Sequence, residues 1–298
     1  MAETDDAAPL EKDSMKTKKM IVGVISSICE MKNPFPQIVS HGVEVTQICN
    51  WDVSLWTKAN AKLLKKYAKE SGIRVNSLWT GYSGPAVWNF TEGPSTLGLV
   101  PPEYRKQRIE ELKRGADFAE WLGTPAIVTH CGFIPESPTD PLYQGTLDAI
   151  GEVAAYCQKK GLDFWFETGQ ETPTTLLRTI EDLGLDNLGI NFDTANVILY
   201  GKANPLDALE VFGKYVRCLH AKDGLYPTNG RNLGRQVPVG KGRSQYSKLI
   251  PKLKEMGYEG DLIIEREIGG PQQIRDIMKT IIYLRKLIDK AEAKYADK

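Results

Sequence analysis

From Ile21 to its end the chain repeats one pattern eight times: a short run of β-branched or aromatic residues, then a stretch with apolar residues at three- and four-residue steps. A run of the first kind suits a buried strand, and a stretch of the second lays one apolar stripe of a helix against a sheet. Strands are expected at residues 21–27, 43–48, 73–79, 126–130, 163–167, 188–193, 216–220 and 261–265. The helical spacing is plain in Ile109, Leu112, Ala116 and Ala119, and again in Ile274, Ile277, Ile281, Leu284 and Ile288. Eight βα units in 298 residues predict one α/β domain, a single (β/α)8 barrel over residues 18–298.

Local signals agree with that count. Gly72 and Gly161 follow helical stretches and precede strands, where a residue free to adopt positive φ ends the helix. Pro101 and Pro102, Pro173 and Pro205 stand at expected helix starts, where proline loses no hydrogen bond. Residues 1–17 are polar and aperiodic, so a disordered leader is expected there. Lys16, Lys18 and Lys19 before the apolar run at 20–29 imitate a signal peptide. That run is short, broken by Gly23, Ser26 and Ser27, and preceded by acidic residues, and so reads as the first strand.

Charge and cysteine usage narrow the partners. Lysine plus arginine number 38 and aspartate plus glutamate 38, which leaves no net field to gather nucleic acid or an anionic membrane. No apolar stretch approaches membrane-spanning length. The 5 cysteines are scattered and odd in number, which argues against a disulfide framework and for a reducing cytoplasm. A small molecule is the expected partner.

The last four strands share one feature. Each apolar run ends on a metal-ligating residue type: Glu167, Asp193, His220 and Glu265. Ionisable groups at buried strand ends are costly unless compensated, and one divalent cation compensates three carboxylates beside an imidazole. The last residue of a barrel strand can point over the axis, so four neighbouring strands can deliver four ligands. Glu267 lies two residues beyond Glu265 on the same face and is assigned to orienting or binding substrate. Two long connections, residues 80–100 and 222–242, leave strand ends and should overhang the same mouth.

Together with Phe166-Glu167, the segments NFDTAN at 191–196, LHAKDG at 219–224, PVGKG at 238–242 and GYEG at 257–260 leading to Ile264-Glu265 resemble the xylose isomerase-like barrels known as sugar phosphate isomerases/epimerases. That family includes ketose 3-epimerases, hydroxypyruvate isomerases and inosose dehydratases. The likeness spans nearly the whole chain after the leader. It implies that Glu167, Asp193, His220 and Glu265 coordinate a divalent metal and that Glu167 and Glu265 exchange protons with a small carbohydrate. It also implies pairing of barrels through exterior helices. Asn196 stands where many members carry a substrate-binding histidine; an amide still hydrogen-bonds but does not titrate near neutral pH.

The implied chemistry is proton abstraction beside a carbonyl through an enediolate held by the metal. Return of the proton gives an epimer or an aldose–ketose isomer. Loss of a β-hydroxyl would instead make the protein a lyase or dehydratase of a keto-sugar or keto-inositol. Manganese is the expected ion, with magnesium, cobalt or zinc as alternatives. His130 is a candidate for a substrate hydroxyl, Arg231 and Arg235 for clamping oxygens, and Trp79, Trp88 and Phe90 for an apolar wall. The PVGKG segment lacks phosphate-loop spacing and reads as a turn. A nuclease of the endonuclease IV type would need more histidines than His41, His130 and His220. A silent sugar-binding barrel would not need two placed glutamates.

Overall fold

The computed structural model describes residues 20–28 and 31–296. The expected leader at 1–17 lies outside them. The chain enters the barrel with β1 (Val22–Ser27), then α1 (Phe35–Ser40), β2 (Val45–Asn50), α2 (Lys58–Ser71) and β3 (Arg74–Thr80). A short α3 (Gly93–Thr96) interrupts the first long connection before α4 (Pro102–Leu122) and β4 (Ala126–Thr129). Next come α5 (Tyr143–Lys159), β5 (Asp163–Glu167), α6 (Pro173–Leu183), β6 (Leu188–Asp193), the short α7 (Asn196–Leu199), α8 (Pro205–Phe212) and β7 (Val216–Ala221). The second long connection holds a hairpin of β8 (Asp223–Leu225) and β9 (Arg235–Val237). The chain closes with α9 (Tyr246–Glu255), β10 (Asp261–Ile264) and α10 (Pro271–Ala296).

Eight parallel strands close on themselves in the order β1-β10-β7-β6-β5-β4-β3-β2, the (β/α)8 arrangement the alternation predicts. The second strand begins two residues later than expected. Gly42, at φ 70, and Val43 complete the turn out of α1, and pairing with β3 starts only where Glu44 accepts the Arg74 N–H. Proline occupies the start of α4, α6 and α8, and Gly72 caps α2 in the left-handed conformation at φ 66.

Strand alternation sorts the side chains into two cores. Phe164, Phe166, Ile190, Phe192, Leu219, Leu262 and Ile264 face the helices, whereas Val45, Trp79, Val128, Trp165, Cys218 and Ile263 fill the lumen. Glu167, Asp193, His220 and Glu265 each lie an even number of residues from a lumen-facing position of their own run or one of matching parity, so all four belong to the inner face. Their place at the carboxyl ends puts them at the barrel mouth. Among the described residues no helix is long and apolar enough to cross a membrane. Cys49, Cys131, Cys157 and Cys218 are unpaired; Cys29 lies outside the described residues.

Candidate active site

Four adjacent strands, β5, β6, β7 and β10, bring Glu167, Asp193, His220 and Glu265 together, with one ligand atom of each within 4.8 Å of all the others. Register does part of this: Asp193 pairs directly with His220, and His220 with Ile263, two residues before Glu265. His220 Nδ1 is the hub. It lies 2.9 Å from Glu167 Oε1, 3.4 Å from Glu265 Oε2 and 3.7 Å from Asp193 Oδ2. These separations lack the direction of hydrogen bonds, and Nδ1 and Asp193 Oδ2 are buried with no hydrogen-bond partner.

At three of the four side chains the remaining polar atom is fixed by a hydrogen bond. His220 Nε2 sits 2.7 Å from Gln47 Oε1, because the Gln47 amide nitrogen donates to Ser77 Oγ at 2.9 Å and so turns its oxygen toward the ring. In the neutral ring the proton therefore belongs on Nε2, which directs the Nδ1 lone pair into the cluster. Asp193 Oδ1 accepts the backbone N–H groups of Ala195 and Asn196 at 2.8 and 2.7 Å, which leaves Oδ2 for the cluster. The Asn191 amide donates to Glu167 Oε2, leaving Oε1.

The electrostatics show the same demand for positive charge. Burial raises the Glu167 carboxyl above its usual range, with His220 pulling the other way. At Glu265 burial is outweighed by Lys222 and His220, which hold the carboxyl well below the usual range. At His220 burial is likewise outweighed, here by Glu167 and Glu265, and the imidazole rises. Asp193 Oδ2 and His220 Nδ1, neither in a hydrogen bond, belong to a set of three carboxylates and one imidazole that can hold a divalent metal ion.

The cluster opens into a cavity of about 380 Å³. Trp51, Trp79 and Trp88 form one wall, with Trp51 5.1 Å from Trp79 and 6.2 Å from Trp88, ring centre to ring centre. His130 stands edge-on to Trp79 and Trp88, at 5.6 and 5.2 Å. Burial, reinforced by Lys222, pushes its pKa down to about 3, so it is a neutral imidazole, and its Nδ1 has no partner. Asn196 and Glu267 line the same space. Arg231 and Arg235 are exposed and outside the lining; the Arg231 carbonyl accepts the Phe90 N–H at 3.0 Å and so joins the two long connections. Phe90 packs on Tyr200 rather than into the cavity.

Trp51 is absent from the sequence candidates, as are three polar residues that complete the site. Gln47 and Asn191 orient His220 and Glu167 from the lumen. Lys222, only 2% exposed, lies 2.9 Å from Glu265, 2.9 Å from Glu267 and 3.4 Å from Asp193. A signal existed for Lys222: it stands two residues after His220, the same spacing that relates Glu267 to Glu265. The PVGKG turn also gains a purpose. Asp223 accepts the N–H groups of Gly224, Gly240, Gly242 and Ser244, each at 2.9 Å, and pins the connection over the mouth. Gly242 has no room for a side chain there, since a Cβ would collide with Asp223 and the Gly224 backbone.

Fold and site together define an α/β barrel whose mouth presents a buried carboxylate–histidine cluster inside an aromatic-walled cavity. The model of the xylose isomerase-like TIM barrel family matches residues 35–287, and the chain belongs to that family. A xylose isomerase domain protein from Planctomyces limnophilus is 33% identical, covers 94% of this chain and all of its own length (100%), and superposes with a TM-score of 0.84. A D-tagatose 3-epimerase-like protein is 20% identical, with 92% and 99% of the two chains covered and a TM-score of 0.70. A xylose isomerase-like TIM barrel protein from Mycobacterium smegmatis, in complex with magnesium, is 16% identical over 86% and 87%, with a TM-score of 0.65. The last two likenesses show the fold alone.

Proposed function

We propose that this barrel is a divalent-metal-dependent isomerase or epimerase of a small sugar or sugar phosphate, serving carbohydrate metabolism by moving a proton beside a carbonyl. The observation that carries the reading is two glutamates flanking one imidazole at the floor of a cavity of about 380 Å³. Glu167 ends β5 and Glu265 follows β10, with β6 and β7 between them, so the two carboxylates approach from different sides.

Glu167, Asp193, His220 and Glu265 would hold the ion, with manganese the first choice and magnesium, cobalt or zinc suited to the same donors. When bound, such an ion supplies Lewis acidity to the oxygens on which negative charge develops. Glu167 and Glu265 then act as the proton-transferring pair, one taking the proton from carbon and the other returning it. Return to the opposite face gives an epimer; return to the neighbouring carbon gives an aldose–ketose isomer.

Trp79 and Trp88 suit the C–H face of a sugar and keep water from the carbanionic carbon. His130, neutral and with Nδ1 unpartnered, and Asn196 suit hydroxyl groups. Glu267 faces the substrate space beside Lys222. Arg231, exposed on the connection that contributes Leu233 to the cavity, is the proposed clamp for an outlying oxygen. Unpaired cysteines fit a reducing cytoplasm as the location, and a second copy of the chain is the proposed macromolecular partner.

The test is hydrogen exchange. Mn2+-loaded protein in D2O with a panel of ketoses, their phosphates and keto-inositols should place deuterium on one carbon beside the carbonyl, with epimer or isomer accumulating in the NMR spectrum. Glu167→Gln should keep the fold and slow exchange about 10²- to 10⁴-fold. Accumulation of a dehydrated product would move the protein to the lyases. Absence of exchange across the panel, or exchange at the wild-type rate in Glu167→Gln, sinks the reading.

A further inference from the structure

Two of the three carboxylate oxygens that face His220 Nδ1 also face an ammonium group. Asp193 Oδ2 is 3.4 Å and Glu265 Oε2 2.9 Å from Lys222 Nζ, the same two atoms that lie 3.7 and 3.4 Å from the imidazole. Lys222 thus occupies oxygens that a cation in the cluster would use. On its other side Nζ has two partners that are not in the cluster: Asn196 Oδ1 at 3.2 Å and Glu267 Oε2 at 2.9 Å. The ammonium can give up Asp193 and Glu265 without being left unpaired.

Charge counting points the same way. Glu167, Asp193 and Glu265 carry three negative charges in a buried site, and a divalent ion beside neutral His220 leaves one uncompensated. Lys222, which also pairs with Glu267, offsets that remainder only in part. A fixed positive charge so close to a bound cation also repels it, strongly in a water-poor interior.

We propose that Lys222 is a positioning residue that sets how firmly the site holds its divalent ion: it keeps Asp193 and Glu265 in place while the ion is away and opposes the ion once it has entered. Glu267 is its resting partner, which accounts for two glutamates on one face two residues apart. The inference rests on the reading of the cluster as a cation site.

The experiment measures Mn2+ binding to the full-length protein by chelator competition, and thermal unfolding with and without saturating Mn2+, for wild type, Lys222→Met and Lys222→Gln. Both variants should bind Mn2+ at least tenfold more tightly than wild type, unfold at a lower temperature without the ion, and gain more from its addition. A side chain with only a structural role would, on removal, loosen the site and weaken Mn2+ binding. Unchanged or weaker affinity in a folded variant overturns the proposal. So does failure of both variants to fold in saturating Mn2+, since the ion should replace the ammonium. A wild-type protein with no affinity for Mn2+ is a different result: it removes the cation site, and this inference with it.

Discussion

His220 can present Nδ1 to a cation only because Gln47 takes the other side of the ring at 2.7 Å. Removing that acceptor leaves a buried N–H unsatisfied and the imidazole free to change tautomer or rotate. Gln47→Leu should therefore weaken Mn2+ binding about 10- to 100-fold, the usual cost of losing an orienting partner, as read by chelator competition. Affinity equal to wild type in the folded variant would show that the ring is held by packing alone. Gln47 also marks the limit of what single residues reveal in a sequence. The four cluster residues are legible because each breaks an apolar run at its end. Gln47 and Asn191 sit inside their strands, completely buried, and a polar residue in mid-strand has many structural uses. Only the closure of the barrel brings Gln47 of β2 to His220 of β7, across the lumen.

Elements long enough to show a period were legible, and those shorter were not. Strands β5 and β6 run over the residues expected, because Phe-Trp-Phe and Gly-Ile-Asn-Phe are continuous apolar runs closed by an acid. The β8–β9 hairpin has three residues a side, too few for alternation to register, and is held by the Asp223 carboxylate instead. Connections hold a further surprise in Glu171, between β5 and α6, which is 4% exposed and pushed up to about 7 by burial. Folding thus favours its protonated form. At pH below about 4.5 the carboxyl is neutral in both states; as pH rises through 7 the folded protein must bear a buried charge, and stability is lost across that window. Glu171→Gln cannot ionise. It should match wild type near the lower bound and exceed it by up to about 3 kcal/mol at pH 8 in urea unfolding, a difference set by the size of the shift. Equal stability at both pH values would mean that the carboxylate is well solvated in the native state.

At the scale of the molecule, a polar chain threads the lumen from mouth to base. His220 meets Gln47, Gln47 donates to Ser77 at 2.9 Å, Ser77 to Asn76 at 2.7 Å, and Asn76 to Asp261 at 2.5 Å. Asp261, at the start of β10, ends the chain in a two-pronged pair with Arg74 at the start of β3, at 2.9 and 2.7 Å. Such barrels divide labour between their ends, with chemistry at the carboxyl mouth and stability at the amino base. The chain of hydrogen bonds raises the question whether that division holds here. Asp261→Ala strips Arg74 and the Asn76 amide of their acceptor but leaves Asn76 Oδ1 to receive Ser77, so Gln47 keeps its orientation. The variant should lose about 3 kcal/mol of stability, the lower end for a broken buried pair because Arg74 keeps contact with water. Its Mn2+ affinity should stay within about threefold of wild type, since Asn76 Oδ1 still receives Ser77 and the chain from Ser77 to His220 is unchanged. A joint loss of stability and affinity would mean that the base of the barrel reaches the proposed cation site through the side chains from Asp261 to His220, and that the two ends form one cooperative network.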